Sequence, residues 1–185
     1  INYLNGAVQK SNRIEDRQRN ISGLMYVNED KLICTSSWDR SICIWDDTDP
    51  TVAKLELLRK IENAHKEDIT TMAFEYHQSI LVSGTFHGEL IVWDFQSFRK
   101  KNTFQSPSHN EITSIQICVN SYPVIISTNV EGYIELWRID YSPQLISRFS
   151  HEPFKGVKSS ILASTLLLTK HYNIDNNIYN NNRSN

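Results

Sequence analysis

The sequence predicts an all-β fold: three four-stranded units of the β-propeller blade type, too few to close a ring. Three observations carry this reading. Trp45, Trp93 and Trp137, three of the chain's four tryptophans, recur at near-equal spacing, and the segments that end on them superpose. Each segment, Leu32–Asp46, Ile80–Asp94 and Val124–Arg138, consists of two β-rich runs around a short turn, the pattern of a hairpin. A further β-rich run starts at Ile21, Ile69 and Ile112, and the intervals from these positions to the respective Trp agree to within one. Self-similarity with a period of about 40 to 50 residues decides an architecture before any local motif is weighed.

The first strand of each unit is expected over Ile21–Val27, Ile69–Glu75 and Ile112–Cys118. The second and third strands flank the turns Trp38-Asp39-Arg40, Phe86-His87-Gly88 and Val130-Glu131-Gly132. The extra residue of the third unit falls in the Asn120–Pro123 turn, where lengthening a loop costs little. A fourth, outer strand is expected near Leu55–Arg59, Phe98–Phe104 and Leu145–Phe149. Four antiparallel strands make one propeller blade. The blades are read as about residues 21–59, 60–104 and 105–149, the larger part of the chain.

These segments resemble WD (WD40) repeats, with Trp45-Asp46 and Trp93-Asp94 as the naming dipeptide and Trp137-Arg138 as a variant. Ala64-His65 and Ser108-His109 stand where such repeats carry Gly-His, and the interval from His65 to Trp93 equals that from His109 to Trp137. The resemblance implies a buried hydrogen-bonded set in each blade: a loop His, a strand Ser or Thr, the Trp indole N–H and a turn Asp. Such a set locks a loop onto the hairpin while pairing polar groups that are costly to bury alone. Its members here are Ser36, Asp39 and Trp45 in the first blade, His65 and Trp93 in the second, and His109 and Trp137 in the third. Every blade departs from the pattern: Asn20 or Arg19 replaces the first His, and His87 and Glu131 stand at the later Asp positions. Blades less rigid than a consensus repeat are expected.

The second repeat, Ala64–Ile69 with Gly88–Trp93, is also similar to repeats of the EF-hand-containing WD-repeat proteins of cilia and flagella. A ciliary or axonemal setting is implied by that resemblance. The acidic stretch Asp47, Asp49, Thr51 imitates the start of a calcium loop, but Val52 replaces the required Gly and Leu58 the closing Glu. It reads as a solvated turn.

Residues 1–20 are polar and carry no repeat, and read as a possible remnant of a preceding blade. Residues 150–172 read as an incomplete continuation, because the next Trp, due near position 179, is absent. More than half of the 173–185 tail is Asn, a composition that cannot bury a core and is expected to be disordered. Since three blades cannot close a ring, the chain reads as a piece of a larger propeller, completed by further blades or by a partner.

Composition narrows the function. Lys+Arg 19 against Asp+Glu 21 gives a net charge of -2, with no basic footprint for nucleic acid. The longest mainly apolar run, Ile161–Leu168, is less than half the length of a membrane span. No secretory signal opens the sequence, so the glycosylation-like triplets at Asn20 and Asn182 carry no weight. Three cysteines without CxxC spacing, Cys34, Cys43 and Cys118, point to a reducing, cytoplasmic compartment. Cys34 and Cys43 flank the first turn symmetrically and are placed to face each other across it, with free thiols the preferred state.

No zinc, phosphate-loop, dinucleotide or nucleophile-elbow motif occurs among the six His or the Gly-containing stretches. No enzyme activity, cofactor or metal is therefore expected, and the resemblance implies a scaffold that docks other proteins. The alternative is a non-catalytic domain of a larger enzyme or of a calcium-regulated EF-hand protein. Candidate protein-binding residues are Trp38, Phe86 and Val130, each seven before its blade Trp, with Arg40 and Lys66 beside them. Large apolar side chains at a surface are common interface anchors, although packing over neighbouring hairpins explains them equally well. On its own, the segment 21–149 is expected to oligomerise or aggregate.

Overall fold

A computed structural model describes residues 20–49, 51, 54–119, 123–139, 144–151 and 159–164. The polar stretch 1–19 and the Asn-rich 173–185 lie outside the described residues. The first blade contains β1 (Ile21–Val27), β2 (Leu32–Ser37), β3 (Ile42–Asp46) and β4 (Glu56–Ile61). The second contains β5 (Ile69–Glu75), β6 (Ile80–Thr85), β7 (Glu89–Asp94) and β8 (Lys100–Gln105). The third contains β9 (Ile112–Val119), β10 (Pro123–Asn129), β11 (Tyr133–Arg138) and β12 (Gln144–Ser150). Each set forms one antiparallel meander in chain order, and the described residues leave the ring open. The outer strands begin or end one to two residues away from the expected limits.

Alternation along each strand sends successive side chains to opposite faces, and the blades stack through those faces. Val27, Cys34, Ile42 and Ile44 of the first blade meet Leu81, Ile91 and Trp93 of the second. One blade further on, Val82, Leu90 and Val92 meet Ile115, Ile125 and Trp137 of the third. Trp93 and Trp137 thus lie on the face that meets the preceding blade, and burying such side chains stabilises each contact by about 1.5–3 kcal/mol per residue. The first strands β1, β5 and β9 lie side by side along the inner edge.

Two irregularities recur in register. The pairing of the first two strands slips near Ile21, Ile69 and Ile112. The pairing of the third and outer strands slips at Trp45, Trp93 and Trp137. A bulge adds local twist, so its repetition at one position bends each blade in the same way. The hairpin turns also share a left-handed residue five before each Trp: Arg40, Gly88 and Gly132, with φ of 68°, 81° and 81°. Only Gly takes that conformation without cost, so Arg40 carries about 1–2 kcal/mol of strain.

The register corrects the expected cysteine pair. Cys34 pairs with Ile44, and Cys43 with Thr35, so the hairpin axis is displaced from the symmetric centre of the sequence. The two thiols consequently point to opposite faces. Burial pushes the Cys34 thiol up to about 12, and all three cysteines are free.

Candidate functional site

Each blade Trp donates its indole N–H to a hydroxyl ten residues earlier. The pairs are Trp45 to Thr35 Oγ1 at 3.0 Å, Trp93 to Ser83 Oγ at 2.8 Å and Trp137 to Ser127 Oγ at 2.8 Å. Thr35, not Ser36, is therefore the first-blade partner; Ser36 Oγ instead lies 3.2 Å from Ser22 Oγ. Strand alternation explains the correction, because neighbouring residues of β2 face opposite ways. The constant spacing from Trp was visible in the sequence and marks all three hydroxyls.

The second blade carries the longest lock. His65 Nε2 lies 2.6 Å from Ser83 Oγ, and Nδ1 lies 2.6 Å from Glu89 Oε2. Glu89, two residues beyond the expected turn position, takes the acidic role. His87 instead stands exposed, its Nδ1 3.6 Å from Glu67 Oε2. Desolvation lowers the His65 pKa despite the opposing effect of Glu89, which leaves the ring neutral at pH 7. Trp93 can only donate, so Ser83 accepts from it and gives its own proton to Nε2, and Nδ1–H donates to Glu89.

The third blade replaces this lock. Ser106 N donates to Gly88 O at 2.8 Å, the place that Ala64 N takes on Arg40 O at 2.9 Å. Ser106 thus holds the anchoring position, the loop from there to Ile112 is one residue longer than that from Ala64 to Ile69, and His109 is carried outward to an exposed position. Its expected structural role is not observed. Ser106 Oγ donates instead to Glu135 Oε1 at 2.9 Å, and Asn129 Nδ2 donates to Ser108 Oγ at 2.7 Å. Glu135 is 1% exposed, and Arg148 Nε lies 3.1 Å from its Oε1. Its other oxygen has no hydrogen-bond partner among the described residues. The sequence reading missed this pair because the same repeat position holds Cys43 and Ile91.

Turns at the opposite end are held by their acids. Asp94 Oδ1 accepts from Ser97 N at 2.8 Å and Ser97 Oγ at 2.7 Å, which draws its carboxyl down to about 2. Asp49 likewise accepts from Thr51 N at 2.8 Å. These carboxylates cap their own turns.

Of the candidate binding residues, the structure gathers Trp38, Arg40 and Lys66 around one polar groove of about 540 Å³ between the first two blades. Arg40 Nη1 donates to Lys66 O at 3.3 Å and ties the two loops together. Trp38 is 49% exposed. Lys60, Glu62 and Asp68 complete the charged walls, and sequence reasoning missed them because β4 and the following loop meet the groove only after folding. Phe86, 52% exposed, belongs to the next hairpin tip and does not line it. Val130 is half-buried.

Comparison with known proteins agrees with this architecture. Residues 12–46 and 56–94 match the family described as WD40: WD domain, G-beta repeat. DmX-like protein 1 of Mus musculus is 26% identical over 131 residues, covering 69% of this chain and 4% of that protein. The chain therefore spans a small fraction of that relative. The crystal structure of RRP9 WD40 repeats superposes with a TM-score of 0.66 at 18% identity, over 80% of this chain and 42% of that one. The computationally designed Ika4 protein superposes with a TM-score of 0.61 at 22% identity, over 84% of both chains. The first two blades thus match WD repeats, and the third shares their meander and Trp-anchored hairpin.

Proposed function

We propose that this chain supplies blades to a protein-interaction propeller and that the groove between its first two blades receives a partner segment. The observation that carries the reading is the grouping of a half-exposed Trp38 with Arg40 and Lys66 on one concavity. Trp and Arg are over-represented among the residues that dominate binding energy. Trp38 offers apolar area, and the surrounding charges supply orientation and specificity. The three free thiols fit a cytoplasmic setting. The role is that of a scaffold, with no chemistry assigned to the chain itself.

The test uses the full-length protein. Its captured partners are purified and titrated against the native protein, Trp38→Ala and Arg40→Glu. A loss of at least about tenfold in affinity for one partner, with an unchanged unfolding midpoint, is expected. Unchanged affinity for every partner overturns the reading.

A further inference from the structure

The stretch 159–164 follows the last strand of the third blade and has no regular strand assignment of its own. Its contacts nevertheless repeat those made between successive blades. Thr70, the second residue of β5, donates its hydroxyl to Ile112 O at 2.6 Å, and Ile112 is the first residue of β9. Thr113, the second residue of β9, donates its hydroxyl in the same way to Ile161 O.

A second equivalence involves the next residues along. A Cβ on Gly23, third in β1, would stand 3.1 Å from Met72 Cγ, fourth in β5. Ser114, third in β9, has its Oγ 2.8 Å from Ser164 Oγ, fourth counting from Ile161. The third equivalence lies at the turn. A Cβ on Gly88 would stand 3.1 Å from the carbonyl oxygen of Asn110, two residues before Ile112. A Cβ on Gly132 would collide with the carbonyl oxygen of Ser159, two residues before Ile161.

We infer that Ile161 begins the innermost strand of a fourth blade, in register with Ile21, Ile69 and Ile112. The first strand of that blade is displaced along the sequence. His151 N donates to Gly132 O at 2.7 Å, the anchoring bond that Ala64 and Ser106 make in the earlier blades. From that anchor to the first strand residue is five residues for Ala64, six for Ser106 and ten for His151. The longer connector shifts every later position. Carrying the interval from Ile69 to Trp93 forward from Ile161 places the next blade Trp at position 185, which holds Asn, and that from Ile112 to Trp137 places it one residue further, so the longer connector accounts for the absence of Trp near 179. This inference is independent of the Trp38 groove.

Cross-linking tests the register directly. In the complete chain with Cys34, Cys43 and Cys118 replaced by Ala, Ser114→Cys with Ser164→Cys is oxidised beside a control pairing Ser114→Cys with Ala163→Cys. The Ser164 pair is expected to form an intramolecular disulfide at least about tenfold faster, since such a bond tolerates little misplacement of the two Cβ atoms. Equal rates, or no bond in either, overturn the inference. Hydrogen exchange on the unmodified chain supplies a reading free of the cysteine background. Protection of the Ile161 and Ser164 amides, reduced at least about tenfold by Thr113→Val, is expected; exchange of both amides at free-peptide rates overturns it.

Discussion

His65 Nδ1 lies 2.6 Å from Glu89 Oε2, with the imidazole wholly buried and the carboxylate partly open to solvent. Burial lowers the His65 pKa more than Glu89 raises it, so the native state holds a neutral ring. A folded pKa below the unfolded value means that the unfolded chain binds the extra proton first. The stabilisation from His65 is complete above the unfolded value of about 6.5 and is lost as pH falls from there toward the depressed native value. Urea midpoints of the native chain and His65→Gln, measured from pH 8 to pH 5, are expected to converge below about pH 6.5. A constant separation across that range contradicts the neutral-ring assignment.

Ser83 is the centre of the same lock, accepting from Trp93 and donating to His65. Ser83→Ala leaves a buried donor and a buried acceptor without a partner, at a cost of about 1–3 kcal/mol each. Thr35→Val in the first blade removes one bond to a half-buried Trp45 and is expected to cost clearly less. Denaturant unfolding of both variants gives the ranking, and equal costs would show that the extended His65 network adds nothing.

The hairpin positions, the order of strands and the shared place of each Trp were legible because they recur at fixed distances from Trp45, Trp93 and Trp137. The locks were legible only in part. His65 could be placed by spacing, but His109 has the same spacing and is exposed; loop length, not distance from Trp, decides which side chain turns inward. Glu89 escaped notice because the register of β7 brings it opposite His65 only once the sheet has formed. The Trp38 groove needed two loops well separated in sequence to meet, as Arg40 and Lys66 do.

Gly84 lies at a close approach of the second and third blades. A Cβ there would stand 2.9 Å from Ile112 Cγ2 and 3.1 Å from Ile115 Cδ1, both in the packed interface. Gly84→Ala is expected to destabilise by about 1–3 kcal/mol, the usual cost of an overpacked core. The further change Ile115→Val, which removes the Cδ1 standing 3.1 Å away, should recover part of it. Failure of that rescue in denaturant unfolding would place the strain elsewhere.

Glu135 places a carboxylate where the first two blades have Cys43 and Ile91. Burial raises its pKa against the opposing effects of Ser106 and Arg148. A raised folded pKa is stabilising below the unfolded value of about 4.3 and becomes a net cost as pH rises through the native value. Glu135→Gln is therefore expected to unfold at higher urea than the native chain at pH 8, with the difference shrinking as pH falls toward about 4. The Arg148 guanidinium rests 3.6 Å from the Tyr133 ring centroid with its side chain partly solvated, so losing the charge partner leaves it tolerably placed. A destabilised Glu135→Gln at pH 8 would show that the ion pair outweighs the desolvation of its acid.

Leu24 and Tyr26 alternate along β1 on the face turned away from the second blade, 72% and 50% exposed. The residue at the Tyr26 position of the second blade, Phe74, packs against the cluster that joins it to the first. The same side of the first blade carries half-buried Trp45 and, on β4, Leu57 at 45% exposure. An apolar sheet face of this kind associates with whatever apolar surface it meets. Leu24→Lys with Tyr26→Lys is expected to reduce self-association of the isolated chain in sedimentation experiments. Its unfolding midpoint should shift by the equivalent of no more than about 1 kcal/mol, since both replaced side chains are already at least half in water. If the double variant associates as strongly as the native chain, the leading face of the first blade is not the adhesive one.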